Sequence, residues 1–251
     1  MSDWAWFEGG ISIEAAIRGN NRPIDTLYIR RGRWDRATRR LRRTAEGAGI
    51  RIEIVDDAFI AEHAAGKSHG GLLARAGSRR FATLRELLTG NGNPLVVMLD
   101  GIEDPFNFGQ AVRALYAAGA AGLVVRPRNW LSATAVVTRS SAGASELMPT
   151  AVADNALEAA AFFREQGLTV ACTANKAAVS LYEADLTQPL FLLIGGEKRG
   201  ITRSFLDQAD IRLNIPYGRP FPHSLGAAAS TAVFAFEFLR QRGQSASPDA
   251  A

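Results

Sequence analysis

The spacing of apolar positions divides the chain into short extended segments and longer helical ones. Residues 24–30, rich in β-branched, aromatic and aliphatic side chains between a proline and a cluster of arginines, read as a strand. Residues 34–48 repeat at helical spacing, with Trp34, Ala37, Leu41, Ala45 and Ala48 on one side and Arg36, Arg39, Arg40 and Arg43 on the other. Ile50, Ile52 and Ile54 alternate with Arg51 and Glu53 as a half-buried strand, 59–65 reads as a short helix, and 71–75 as another strand. Together these predict a small α/β domain over residues 1–80. A connector follows over 81–94, helical from 81 to 88 and then broken by Thr89-Gly-Asn-Gly-Asn-Pro94, because Gly, Asn and Pro each favour turns.

From 95 to 242 the periodicity changes. Strand patterns at 95–99, 122–125, 169–172, 190–194 and 211–215 alternate with helical ones at 110–118, 132–141, 157–166 and 225–242. Such alternation predicts a mostly parallel sheet covered by helices on both faces. Residues 243–251 are small and polar, the composition of a disordered tail.

Composition narrows the function classes. With 251 residues, 47% hydrophobic and 22% charged, the chain can bury a sizeable core as an ordinary globular protein. A single cysteine, Cys172, excludes an internal disulfide framework and a Cys-based zinc site, and three scattered histidines suggest no metal cluster. No stretch approaches the ~20 apolar residues that span a bilayer, and the opening MSDWAWFEGG has no signal-peptide pattern. A cytoplasmic location is therefore expected.

Charge adds a direction to this picture. Residues 1–94 hold 16 Lys and Arg against 11 Asp and Glu, while 95–251 hold 13 against 14. Eight arginines lie between Arg30 and Arg43, with Asp35 the sole acid among them. That density suits phosphate neutralisation, and guanidinium forks match phosphate geometry.

Three blocks combine strand ends with glycine or polar residues, at the C-terminal edge where open α/β sheets hold ligands. They are LDGIEDPFNFGQAVRALYAAGA (99–120), LLIGGEKRGIT (192–202) and NIPYGRPFPHSLGAAAS (214–230). In order and spacing they resemble the three motifs of the SpoU (TrmH-like) branch of the SPOUT superfamily, over roughly residues 95–240. The N-terminal module, with His69-Gly70, is similar to the small α/β (L30e-like) RNA-recognition domain that precedes the catalytic domain in ribosomal-RNA members.

The resemblance implies a deep trefoil knot at the C-terminal end, S-adenosylmethionine as methyl donor, a homodimer and transfer to a ribose 2′-hydroxyl. Ribosomal RNA is the implied substrate, with transfer RNA as second choice. It places the cofactor against Thr173, Ala174, Gly195, Gly196, Ile215 and Leu225. Catalysis would fall to Arg113, Asn107, Glu197 and Ser224, and RNA binding to Arg36, Arg39, Arg40, Arg43 and His69. Arginine almost never surrenders its proton. Arg113 is therefore expected to hold the attacking oxygen and a neighbouring phosphate rather than to act as the base. Asn107 and Ser224 also stand where helix N-caps belong.

The third block departs from the family's Ser-Leu-Asn-Val-Ser. Here the run is Ser224-Leu225-Gly226-Ala227-Ala228, the preceding loop is one residue longer, and Lys198 occupies a position usually small. An alternative follows: a knotted RNA-binding protein of the same fold whose chemistry is lost, or rebuilt around His223 or Ser230. A dinucleotide enzyme is disfavoured, since its glycine-rich turn should follow the first strand of the unit.

Overall fold

Two sheets organise the protein, seen in a computed structural model that describes residues 4–90, 92–127, 134–176, 178–196 and 200–243. Glu197, Lys198, Trp130 and the tail beyond Gly243 lie outside the described residues. The chain divides into two compact units, 1–81 with 128–148, and 82–127 with 149–251.

The first unit opens with β1 (Ala5–Glu8), α1 (Gly10–Gly19), β2 (Ile24–Arg30), α2 (Arg36–Gly47), β3 (Arg51–Val55), α3 (Asp57–His63) and β4 (Leu72–Ala76). Its sheet runs β1-β4-β2-β3, with β2 and β3 parallel and the other neighbours antiparallel. Phe7, Ile13, Leu27, Ile29, Leu41, Ala45 and Leu72 form the core between this sheet and the helices.

Helix α2 is turned from the face its sequence suggested. Asp35 caps it, accepting the Thr38 N–H at 3.0 Å, and this bond holds the Asp35 carboxyl below its ordinary value. Thr38 is thereby drawn inward beside Leu41 and Ala45, its hydroxyl satisfied by Asp35 and Arg33. Ala37 and Ala48 are exposed instead. Trp34, expected to pack, precedes the helix and is 49% exposed, with the Arg42 guanidinium 5.9 Å from its ring.

In the second unit a single 3₁₀ turn, Arg85–Leu88, replaces the helix expected over 81–88. Then follow β5 (Leu95–Asp100), α4 (Pro105–Ala117) and β6 (Gly122–Val125). The chain next contributes α5 (Thr134–Ser140) and α6 (Ala144–Leu147) to the first unit. It returns as β7 (Thr150–Val152), α7 (Ala156–Glu165), β8 (Thr169–Thr173), β9 (Val179–Ser180), β10 (Leu190–Gly195), α8 (Arg203–Gln208), β11 (Ile211–Asn214) and α9 (Ala227–Arg242).

The seven strands are ordered β7-β6-β5-β10-β8-β11-β9 and every neighbouring pair is parallel. Alternate residues of the central strands serve opposite faces. Val96, Met98, Phe191 and Leu193 join the core under α7, where Phe163 stacks on Phe191 at 4.9 Å. Val97 and Leu192, one step along, are equally buried, which is why these strands read as continuous apolar runs. On the remaining side α9 packs on α4 and β10. Cys172 sits in this core, its thiol pushed up to about 11 by burial.

Candidate functional site

Parallel alignment brings the C-terminal ends of β5, β10, β8 and β11 to one edge, side by side. Gly195 is in register with Asp100, Leu193 with Cys172, and Leu213 with Thr173. Five of the six residues assigned to the cofactor, Thr173, Ala174, Gly195, Gly196 and Ile215, therefore occupy three neighbouring strand ends. Ala174 is fixed there by its N–H, which donates to the Leu213 carbonyl at 2.8 Å.

The two glycines are required by the protein's own backbone. A Cβ on Gly196 would lie 2.0 Å from the Gly101 carbonyl oxygen, because the chain beyond β10 runs closely beside the chain beyond its parallel neighbour β5. Gly196 donates its N–H to the Asp100 carbonyl at 2.6 Å, continuing the β5–β10 pairing. A Cβ on Gly195 would meet Ile201 Cγ1 at 2.8 Å and the Gly200 carbonyl carbon at 3.1 Å. Their conformational demand thus comes from tight chain packing at the strand ends. Sequence alone could not show this, since Gly101 lies 95 positions before Gly196.

Several groups at this edge are fit for a ligand with one apolar ring and few polar contacts. Ile215 is half-buried and Leu225 is 37% exposed. Asn214 carries a buried side-chain oxygen with no hydrogen-bond partner among the described residues, an acceptor available to a donor on a bound molecule. Asn214 was not singled out in the sequence, because an Asn ending a strand gives no signal of its burial. The Asp100 carboxylate is held apart, paired in fork geometry with Arg126 by two contacts of 2.9 Å.

Leu225 lies on the loop between β11 and α9. Its N–H donates to Tyr217 Oη at 2.9 Å, and its carbonyl accepts from Ser230 Oγ at 3.3 Å. The cap position of α9 is Gly226, without a side-chain capping bond. Ser224 is therefore not the cap, and it stands exposed two residues earlier.

On α4 the cap is Asp104, not Asn107. Its carboxylate accepts the N–H groups of Phe106 at 3.3 Å and Asn107 at 3.1 Å, and Pro105 supplies the preset first turn. That leaves the Asn107 side chain half-buried and free for other work. Arg113, two turns along, is exposed and makes no hydrogen bond or ion pair among the described residues. The structure shows no Asn107–Arg113 bond. Glu197, the third member of the expected group, lies outside the described residues.

A second candidate surface belongs to the first unit. The Arg30 N–H donates to the Gly71 carbonyl at 2.9 Å, and a Cβ on Gly70 would come within 2.9 Å of Arg33 Nη1. His69 closes the same turn, its Nδ1 accepting the Gly71 N–H at 2.9 Å. The arginine-rich segment and the His69 turn are thus neighbours, although about 35 residues separate them in sequence. Not every arginine is available. Arg40 is paired with Glu14 at 2.8 Å and Arg39 donates to the Trp34 carbonyl, whereas Arg36 and Arg43 are exposed and unpaired among the described residues.

Among the described residues no cluster of His, Cys, Asp or Glu could hold a metal ion, and no helix is long and apolar enough to cross a membrane.

Comparison with known proteins bears on both surfaces. Residues 94–236 match the SpoU rRNA Methylase family, and residues 7–82 match the family described as RNA 2′-O ribose methyltransferase substrate binding. The chain is 31% identical over 234 residues to the 23S rRNA (guanosine-2′-O-)-methyltransferase RlmB of Shewanella oneidensis, covering 92% of this chain and 95% of that protein. The Pseudomonas aeruginosa protein of the same name is 31% identical over 246 residues, 96% and 98% of the two chains. In fold the chain is similar to the SpoU methyltransferase AviRb of Streptomyces viridochromogenes, with a TM-score of 0.80 at 21% identity over 96% of this chain and 90% of that one. An AdoMet-bound rRNA methyltransferase from Sinorhizobium meliloti gives 0.76 at 22% identity, over 95% and 87%. A methylase match across the whole strand-end site, together with relatives aligned over nearly their full length, establishes that the chain belongs to the SpoU rRNA methylase family.

Proposed function

We propose that this protein transfers a methyl group from S-adenosylmethionine to a ribose 2′-hydroxyl of 23S ribosomal RNA. One observation carries the reading: a methylase unit and an RNA-substrate unit are matched in one chain, and relatives bearing the 23S rRNA name align over 92% and more of it. Transfer RNA is the second choice of substrate. A binding protein that has lost its chemistry is disfavoured by the same alignment, despite Gly226 and Ala228.

The donor brings a methyl group already activated by its sulfonium. The chain's task is therefore alignment, for which well-oriented groups gain up to ~7–11 kcal/mol. Thr173, Ala174, Gly195, Gly196, Ile215 and Leu225 hold the donor at the strand ends, with apolar contacts from the last two and the unused Asn214 oxygen as acceptor. Arg113, lacking any partner among the described residues, is free to hold the 2′-oxygen and the adjoining phosphate as negative charge develops. Asn107, released from capping by Asp104, orients the ribose. Ser224 and Glu197 complete the group that positions the nucleotide and the donor loop. Proton release goes to the phosphate or to water, since a guanidinium cannot accept it.

We also read the C-terminal chain as a trefoil knot and the active form as a cytoplasmic homodimer. The match of residues 94–236 to the SpoU rRNA Methylase family supports the first. Phe106 and Tyr116 on α4 and Phe236 on α9, all 42% exposed or more, support a second copy covering these packed helices.

The test is calorimetric titration with S-adenosylmethionine, followed by methyl transfer to 23S rRNA mapped to the ribose. Micromolar binding that is lost in Leu225→Asp, with 2′-O-methyl product, is expected. Absence of binding, with and without RNA, would return the binding-protein reading.

The basic surface makes a separate prediction. Replacing Arg36, Arg39, Arg40 and Arg43 together by Gln is expected to weaken RNA binding and reduce the slope of log K against log salt, each lost phosphate contact removing about 0.7–0.9. Arg36→Gln with Arg43→Gln should account for most of the change, because Arg40 and Arg39 are already engaged. An unaltered slope measured by filter binding would assign the helix face to solvent.

A further inference from the structure

We propose that the loop between Pro216 and Ser224 is a stacking platform for one unpaired base of the RNA substrate, adjacent to the nucleotide whose ribose is methylated; this rests on the methyl-transfer reading above. The loop carries three rings in succession. Tyr217 and Phe221 have centroids 6.2 Å apart at 53°, and Phe221 meets His223 edge-to-face at 5.3 Å and 73°. They are not core residues: Tyr217 is 40% exposed, Phe221 57%, and His223 is exposed. Pro220 and Pro222 flank Phe221 and fix their own backbone φ, so the ring is presented by a stiffened chain with little freedom left to lose on binding.

Charge and continuity select the occupant. Arg219 is the one formally charged residue from 214 to 230, it is exposed, and it has no hydrogen bond or ion pair among the described residues. An exposed aromatic ring on the same short loop as an arginine unpaired among the described residues is the combination that receives a splayed-out base and its phosphate. The platform is also wired to the donor site, because Tyr217 Oη accepts the N–H of Leu225 at 2.9 Å. A base seated on Phe221 therefore lies on the same short loop as a residue that contacts the donor. The stiffening prolines of this loop acquire a purpose as substrate selection.

Phe221→Leu keeps apolar bulk and removes the π face. With the full-length protein and 23S rRNA, KM for RNA is expected to rise about ten-fold, in line with the loss of one stacked base. Turnover at saturating RNA and affinity for S-adenosylmethionine should stay within about two-fold, and Phe221→Trp should restore KM. A second readout needs no methyl transfer: quenching of 2-aminopurine in a single-stranded hexaribonucleotide should be strong with the wild-type chain and weak with Phe221→Leu. Failure to bind S-adenosylmethionine would sink the functional reading while leaving this quenching test intact. An unchanged KM, equal quenching by the two proteins, or no quenching at all overturns the platform. So does a change in sedimentation from dimer to monomer in Phe221→Leu, which would make the loop an interface between copies.

Discussion

Arg113→Ala is expected to lower methyl transfer to 23S rRNA by at least about 10²–10³-fold, the cost of removing one donor aimed at charge that develops in the transition state. Binding of S-adenosylmethionine should be nearly unaffected, because the residues assigned to the donor lie on the ends of β8, β10 and β11 and on the loop at Leu225, whereas Arg113 projects from α4. Its isolation sharpens the expectation. A guanidinium with no hydrogen bond or ion pair among the described residues stabilises nothing in the free protein that its loss would remove, so the fold should survive the substitution. Arg113→Lys keeps the charge but not the two-pronged geometry, and should recover only part of the rate. Three measurements decide the matter: single-turnover methyl transfer, calorimetric donor affinity, and thermal melting. If donor affinity falls along with rate, Arg113 belongs to the donor site and the role in holding the 2′-oxygen is wrong. A rate within about ten-fold of wild type would transfer the developing charge to another group, with His223 and Ser230 the candidates in the third motif.

The alternation of strands and helices was legible in the sequence because each signal was local. The runs at 95–99, 122–125 and 190–194 became β5, β6 and β10 within a residue, since both faces of the parallel sheet are covered and every position must be apolar. Elements without a local signal went unread. β1 is four residues long, and α1 begins after Gly9 at φ 82 with no side-chain cap, so neither start nor period announced it. Capping was misplaced for a related reason. Asn107 and Ser224 are good cap residues by type, but Asp104 beside Pro105 and Gly226 hold those positions, and only backbone geometry separates the candidates.

The site was legible in part. The strand-end motifs led to neighbouring positions because parallel strands align their ends. The reason for the glycines was not readable, as it depends on the close approach of Gly101 on the neighbouring strand end. The Tyr217–Phe221–His223 rings stood in plain sight in the quoted motif, yet ring contacts and exposure become visible only once the loop has a path.

Glu146 shows how far a local reading falls short, and its replacement should carry the largest stability effect. It lies within the segment matched to the methylase family, yet α6 packs in the first unit, where Glu146 is 2% exposed. Arg22 grips it through Nε at 2.8 Å and Nη2 at 3.2 Å, and the same guanidinium donates to the Gly77 carbonyl at 3.1 Å. Arg79 Nη1 lies 3.6 Å from Glu146 Oε1, and its Nη2 donates to the Met148 carbonyl at 2.9 Å. Burial pushes the Arg79 pKa down, and the Glu146 charge opposes that shift. Glu146→Ala would leave the buried Arg22 guanidinium without the carboxylate that grips it, which for a broken buried pair costs about 3–5 kcal/mol. Trp4, Trp6 and Trp34 all belong to this unit, so intrinsic fluorescence during urea unfolding follows its stability. Glu146→Gln retains the shape and one acceptor, and is expected to fall between wild type and alanine. Arg22→Met combined with Glu146→Leu should lose less than the sum of the two single changes, because each single change includes the cost of an orphaned charge that the double change avoids for this pair. A loss below about 1 kcal/mol in Glu146→Ala would mean that Arg22 reaches water without it, and that the pair does little to seat α6 in the unit.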